Sequence, residues 1–285
     1  MAVAATKPHG LMDLFNTIRT EADAVAFFAE KGIIPPKKRC KKRHFMKRKV
    51  KDRSVRWRCT RKGCDQSLSV RKGTWLEGTS LPLRTILLFL YSWVKKLTTI
   101  RYCYEELGVS HTAAVDYTSC LREVCAEDLL FNPVQIGGPG KVVEIDETVF
   151  SRRKCRLGGR PPHQWVYKGV CRKAKQVFLY TITCRDRDTL EECIRQSVLP
   201  GTTVISDLWR SYSHIPEIEG YQFRHKAEKH GARSKSKSKS PRMEGPWACV
   251  KQSSMIDSGL CEIMWRKRYE GCDLFEKLLA GIARF

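Results

Sequence analysis

Apolar positions recur at helical spacing over residues 12–31 and from Leu81 to about residue 131, with short alternating runs between, and alternate as strands for much of the chain beyond. In MDLFNTIRTEADAVAFFAEK, Phe15 and Ile18 and then Ala24, Phe27 and Phe28 share helix faces, and Gly32 stops the second segment, which predicts a helical lead-in over 1–36. VRWRC and SLSVR read as short strands around TRKGCDQ, whose Gly63 suits a tight turn. LPLRTILLFLYSWVKKL, TTIRYCYEELG and SHTAAVDYTSCLREVCAEDLL are helical again. The last two are separated by Gly108, Val109 and Ser110, with Ser110 placed to cap the second. This is the pattern of a helix-turn-helix over 79–131, whose second helix can enter a major groove, and equally that of an ordinary helical hairpin.

NPVQIGGPG (132–140) has the composition of a linker. Beyond it come strand (KVVEIDETVF), glycine-rich basic loop (SRRKCRLGGRPP), strand (HQWVYKGVCRK), strand (QVFLYTITC), helix (DTLEECIRQSVL) and strand (TTVISD). That order predicts an α/β domain with a mixed sheet over 141–285. The stretch from Tyr212 to Pro241, ending in SKSKSKSP, reads as flexible, and Phe275, Leu278, Leu279 and Ile282 predict a closing amphipathic helix.

Charge sharpens this picture. The chain has 53 basic and 30 acidic residues, a net of +23, which points to a polyanionic partner, with double-stranded DNA foremost. Residues 37–72 hold 17 Lys or Arg against Asp52 and Asp65, so a net of +15 sits in 36 residues. No apolar run is long enough for a membrane span or a signal peptide, so no membrane partner and an intracellular location are expected. In a reducing compartment, Cys103, Cys120, Cys125, Cys171, Cys184 and Cys193, single within apolar stretches, read as small buried hydrophobes.

The chemistry lies in carboxylates. Asp146 ends the apolar run Val142, Val143, Ile145, and Asp207 follows Val204 and Ile205; Glu244 lies in PRMEGPW, with 36 residues between it and Asp207. Phosphodiester cleavage and strand transfer use two Mg²⁺ ions about 3.5 to 4 Å apart, held by Asp and Glu oxygens. Taken singly, an aspartate ending a strand also starts loops and caps helices. Glu144 shares a face with Asp146 as a supporting acid or a solvated strand residue, while Glu147 falls on the other face. Pro246 places Glu244 at or just before a helix N-cap.

VEIDET, HQWVYKGV, LPGTTVISDLWRSY, MEGPWACVK and CEIMWRKRYEGCDLFEKLL resemble the Merlin superfamily of DDE transposases and its bacterial insertion-sequence relatives, which have an ISXO-like transposase domain. With RKGTWLEGTSLPLRTILLFLY and the basic segment, the resemblance runs from about residue 33 onward. It implies an RNase H-like catalytic domain with a DDE triad of Asp146, Asp207 and Glu244, cut-and-paste transposition with Mg²⁺ or Mn²⁺, and binding of terminal inverted repeats and target DNA by a homo-oligomer. The 36-residue interval is the one associated with Merlin elements, whereas EKHGARSKSKSKSP departs from the family pattern; His225 is a supporting candidate. Arg152, Arg153 and Lys168 are candidate DNA-backbone contacts.

The resemblance also implies a zinc-ribbon-like segment over 37–78. Cys59 and Cys64 form one pair, and Cys40 is followed by Arg43 where a second cysteine is expected; His44 is placed to replace it. Cys40, His44, Cys59 and Cys64 are thus candidate Zn²⁺ ligands, with a metal-free ribbon as the alternative. Trp57 and Trp75 read as packing residues. A domesticated DNA-binding protein and an RNase H-like nuclease without strand transfer remain alternatives to a transposase. PPKKRCKKRH reads either as a nuclear localisation signal or as a DNA contact.

Overall fold

The computed structural model describes residues 10–51, 54–150, 164–171, 173–182, 184–228 and 256–285. The chain divides into two compact units, one of residues up to Val124 together with Gly271–Phe285, the other of Cys125–Glu270.

The first unit starts with α1 (Leu11–Thr17) and α2 (Glu21–Glu30), the latter opened by a reciprocal capping box between Thr20 and Asp23. A small antiparallel sheet follows, β1 (Met46–Lys51), β2 (Ser54–Cys59) and β3 (Ser67–Ser69) in that order. Next comes α3 (Leu83–Val94), buried on nearly every side. Its N-cap, Pro82, has no side chain to offer its first amides; Glu21 of α2 accepts from the Leu83 and Arg84 amides at 2.9 and 3.0 Å instead. A carboxylate there also meets the positive end of the helix dipole.

After α4 (Ile100–Leu107), Gly108 turns in the left-handed region (φ 61°), which costs glycine no Cβ clash, and Ser110 accepts from the Ala113 amide as α5 (His111–Phe131) starts. The closing helix α8 (Leu274–Ile282) belongs to this unit. Its Phe275 packs against Tyr91 and Phe27, and Glu276 pairs with Lys31 at 2.9 Å.

In the second unit, β5 (Val142–Phe150), β6 (Gln164–Cys171) and β7 (Gln176–Ile182) run antiparallel in sequence, and α6 (Arg187–Ser197) crosses back so that β9 (Thr203–Ser206) lies parallel to β5 on its other side. A further strand, β10 (Arg224–Ala227), adds parallel to β9, completing the order β10-β9-β5-β6-β7. One face buries Val143, Ile145, Tyr167, Phe178 and Val204 with Leu190 and Ile194 of α6. Against the other, α7 (Ile256–Arg268) packs Leu260, Ile263 and Met264 on Val166 and Leu179. The α7 Trp265 donates to the buried Asp128 at 3.0 Å.

Several features differ from the sequence expectation. Cys120 and Cys184, expected as buried hydrophobes, are exposed. The 132–140 stretch is not a free linker, since β4 (Ile136–Gly137) pairs with β8 (Val198–Leu199). The division falls inside α5 rather than after it, because one unbroken helix serves both units, and the amphipathic face of α8 buries in the first unit rather than the second. β10 lies in the segment expected to be flexible; its polar RHKA sequence suits an edge strand and gave no apolar signal. No helix among the described residues is long and apolar enough to cross a membrane.

Gly169 of β6 sits under the Phe178 ring, and a Cβ added there would overlap it. Gly169→Ala is expected to destabilise the second unit by about 1–3 kcal/mol through overpacking. Urea unfolding measures this, and Phe178→Leu in the same chain should recover part of the loss.

Candidate functional site

The parallel register of β5 and β9 pairs Val142 with Thr203, Val143 with Val204 and Glu144 with Ile205. The ladder stops there; continued by two residues, its register brings Asp146 level with Asp207, on neighbouring strands about 4.8 Å apart. Asp207 directly follows β9, whereas Asp146, expected at a strand tip, lies in the middle of β5, which runs on to Phe150 in its pairing with β6. Equal parity aims both carboxylates to the same face. The carboxyl end of β9, where Asp207 follows, is the kind of place where open α/β sheets put their chemistry. Both aspartates are half-buried.

Each has a local partner. Lys168, opposite Asp146 on β6, brings its Nζ to 2.7 Å from Asp146 Oδ2. Asp207 Oδ1 accepts from the Trp209 amide at 3.0 Å, which folds the loop back on its own carboxylate. His225 of β10 lies 2.8 Å from Ser206 Oγ, and the Ser206 hydroxyl donates to the Asp207 carbonyl, so His225 Nε2–H is left to donate to Ser206. Burial, with a smaller effect of His214, lowers the His225 pKa, consistent with a neutral ring that ties down the end of β9.

Glu147 is the group that sequence parity undervalued. It does fall on the face opposite Asp146, but its side chain is 1% exposed and pairs with Arg185 at 3.4 Å. Burial pushes its carboxyl up; Tyr212 and Arg185 act against this, and Asp207 and Asp146 reinforce it. The two aspartates therefore act electrostatically through the sheet on a third, buried carboxylate. A carboxylate at core parity after Val143 and Ile145 was the available signal, since a buried acid needs a partner. Glu144 is half-buried on the aspartates' face. Glu244, Arg152 and Arg153 lie outside the described residues.

The carboxylates offer hard oxygen donors, one within β5 and one just after β9, so the pair fits a divalent cation such as Mg²⁺. Among the described residues they do not make a group of three close ligands; only Cys40, His44, Cys59 and Cys64 do, with ligand atoms all within 4.8 Å of one another.

That second cluster is built from two turns. In the first, Arg43 takes a left-handed conformation (φ 61°), its amide donates to the Cys40 carbonyl, and the His44 amide donates to Cys40 Sγ at 3.3 Å. In the second, Gly63 is left-handed (φ 74°) and the Cys64 amide donates to the Arg61 carbonyl. Lys42 Nζ bridges the turns to the Gly63 carbonyl at 3.1 Å. The arrangement sets His44 Nδ1 3.7 Å from Cys59 Sγ, and Cys64 Sγ 3.8 Å from Cys40 Sγ. Three sulfurs and an imidazole at such spacing suit tetrahedral Zn²⁺.

Beside it an open cleft of about 650 Å³ is lined by Lys49, Arg58, Arg61 and Lys62, with Asp65 the acid among them. The helices α4 and α5 carry the opposite balance, two basic against six acidic residues over 100–131. Trp57 is buried and Trp75 lies against Tyr117, which makes both packing residues.

No protein-family model matches the chain, and no curated protein matches it. Among solved structures it is similar to the HTLV-2 integrase catalytic core domain in complex with magnesium, at 12% identity over 45% of this chain and 84% of that one, TM-score 0.32. A simian T-cell lymphotropic virus intasome in complex with the PP2A regulatory subunit B56 gamma gives 12% identity, 67% and 64% coverage and TM-score 0.26. A pre-cleavage Mos1 transpososome gives 9%, 69% and 78%, with TM-score 0.22. Likenesses this distant carry no weight for chemistry, which rests on the residues of the site themselves.

The cysteine cluster generates a direct test. The purified chain is expected to hold one zinc, measured by elemental mass spectrometry, and a strong chelator should lower the unfolding temperature of the first unit. Cys64→Ser should lose the metal, whereas Cys272→Ser, at an exposed site, should keep it. Zinc-free protein with unchanged melting would mean a metal-free ribbon.

Proposed function

We propose that the chain is a DNA strand-cutting and strand-joining enzyme of the transposase and integrase kind, and, from its sequence motifs, a cut-and-paste transposase resembling the Merlin superfamily. The observation that supports this reading is the parallel β5–β9 register, which, continued by two residues, brings Asp146 of β5 level with Asp207 just after β9. The strand order, three antiparallel strands and two more parallel to the first, fits the RNase H-like core that the motifs imply.

In this reading Asp146 and Asp207 hold divalent cations, with Glu244 as the third ligand. Bound Mg²⁺ or Mn²⁺ supplies activation of the attacking oxygen and charge neutralisation at the leaving oxygen. The protein's own contribution is placement. The β5–β9 register would bring the carboxylates side by side, the Trp209 amide orients the Asp207 carboxylate, and Lys168, paired with Asp146 on the neighbouring strand, would be a cation for a DNA phosphate.

DNA capture belongs to the ribbon. Its basic cleft attracts phosphates, while the acidic excess of α4 and α5 disfavours their insertion into a groove as the main contact. Terminal inverted repeats and target DNA are the proposed ligands, two ends being brought together by a homo-oligomer, and the basic PPKKRCKKRH segment is consistent with a nuclear setting in a eukaryote.

A second reading, a DNA-binding descendant that has lost the chemistry, is favoured by the Lys168–Asp146 ion pair, which occupies one candidate ligand. Nicking of duplex DNA separates the two. The enzyme reading expects cleavage with Mg²⁺ or Mn²⁺ that Asp207→Ala and Asp146→Ala each lower by at least ~100-fold, the scale of several kcal/mol of metal-borne transition-state stabilisation, with DNA affinity retained. Indistinguishable wild type and Asp207→Ala would leave only the binding function.

A further inference from the structure

Leu208 and Trp209 follow Asp207 directly and are 62% and 45% exposed. Two large apolar side chains in water beside a candidate catalytic carboxylate call for an explanation that packing does not give. Trp209 is nonetheless held firmly. Its amide bonds to Asp207 Oδ1 at 3.0 Å, and its indole Nε1–H donates to Ser211 Oγ at 2.9 Å. The Arg185 guanidinium lies over the indole, 4.3 Å from the ring centroid, and also over Trp165 of β6 at 4.2 Å. Arg185 is itself paired with the buried Glu147. An arginine clamped between two tryptophans thus backs one indole and leaves nearly half of that residue open to solvent. Because the amide of Trp209 holds the Asp207 carboxylate, ring and carboxylate keep a set spacing.

We infer that Trp209, flanked by Leu208, is a stacking platform for one unpaired nucleobase next to the phosphodiester at the Asp146–Asp207 site. The identity of the ligand as DNA rests on the proposed function. A duplex shows a protein its phosphates and base edges, whereas an unstacked base offers a flat π-face that matches an indole. The net charge of +23 and the cation behind the ring favour such a polyanion-borne base over an apolar protein side chain. The substrate preference that follows is for a strand end with a base already unpaired, such as an overhang or a melted terminus.

The test uses the full chain without added Mg²⁺ and two DNA probes, a blunt duplex and the same duplex with a short overhang whose first unpaired base is 2-aminopurine. Wild type should bind the overhang roughly tenfold more tightly and quench the 2-aminopurine fluorescence, in line with one base stacked on an aromatic ring. Trp209→Ala should lose both the preference and the quench, and Trp209→Tyr should keep most of each. A wild type with no preference, or a Trp209→Ala protein that quenches like wild type, overturns the inference. Metal-dependent nicking measured on the same preparations separates the two readings. Nicking without a Trp209-dependent quench rejects the platform and leaves the proposed function standing. A Trp209-dependent quench without nicking supports the platform and rejects the proposed chemistry.

Discussion

The parallel pairing of β5 with β9 is the constraint on which the second unit depends. Neighbouring parallel strands cannot be joined by a hairpin, so β6, β7 and α6 make the excursion, and that excursion supplies the antiparallel half of the sheet and the cover for one face. Val143 and Val204, paired across the ladder and both fully buried, hold its register. A slip of one residue would turn Asp207 toward the α6 side and break its alignment with Asp146, while exposing Val204. The hydrophobic effect therefore sets the position of two charged groups that take no part in the core.

Gathering acids on and beside the central strand of the sheet raises an electrostatic cost, and the structure meets it with cations placed one at a time. Lys168 answers Asp146 from the adjacent strand, and Arg185 answers the buried Glu147 while its guanidinium is stacked between Trp165 and Trp209. These contacts make the site a linked set rather than isolated side chains: the arginine that compensates the buried acid also steadies the loop after Asp207. In the first unit the charge is used differently. The lysines and arginines of the ribbon remain on the surface around a folded cysteine–histidine cluster, where they are available to phosphates.

The alternation of apolar residues in KVVEID and TTVISD was enough to place both aspartates on strands, because a buried strand leaves a strong period-two trace; Asp207 does follow the end of β9, but β5 runs past Asp146 to Phe150. Their adjacency was not legible, since register between strands separated by some sixty residues depends on packing that no local window contains. Glu147 was read as pointing away, correctly for its face, but period alone says nothing of the Arg185 that makes a buried acid tenable there. The spacing of Cys59 and Cys64 was visible as a turn, and His44 as a replacement ligand; that both turns close on one point depends on the left-handed Arg43, which sequence does not announce. The division inside α5 was hidden for the opposite reason: a continuous helix gives one continuous signal whichever unit each half serves.

The central claim, that Asp146 and Asp207 together hold a divalent cation, is tested most directly by locating a bound metal on the polypeptide. Loading the chain with Fe²⁺ and generating hydroxyl radicals with ascorbate and peroxide cuts the backbone near the metal. The account predicts cuts close to both Asp146 and Asp207 that Mg²⁺ competes away and that Asp207→Ala removes from both places. Cuts confined to the neighbourhood of Cys40 and Cys59, with none near Asp146 or Asp207, would contradict it.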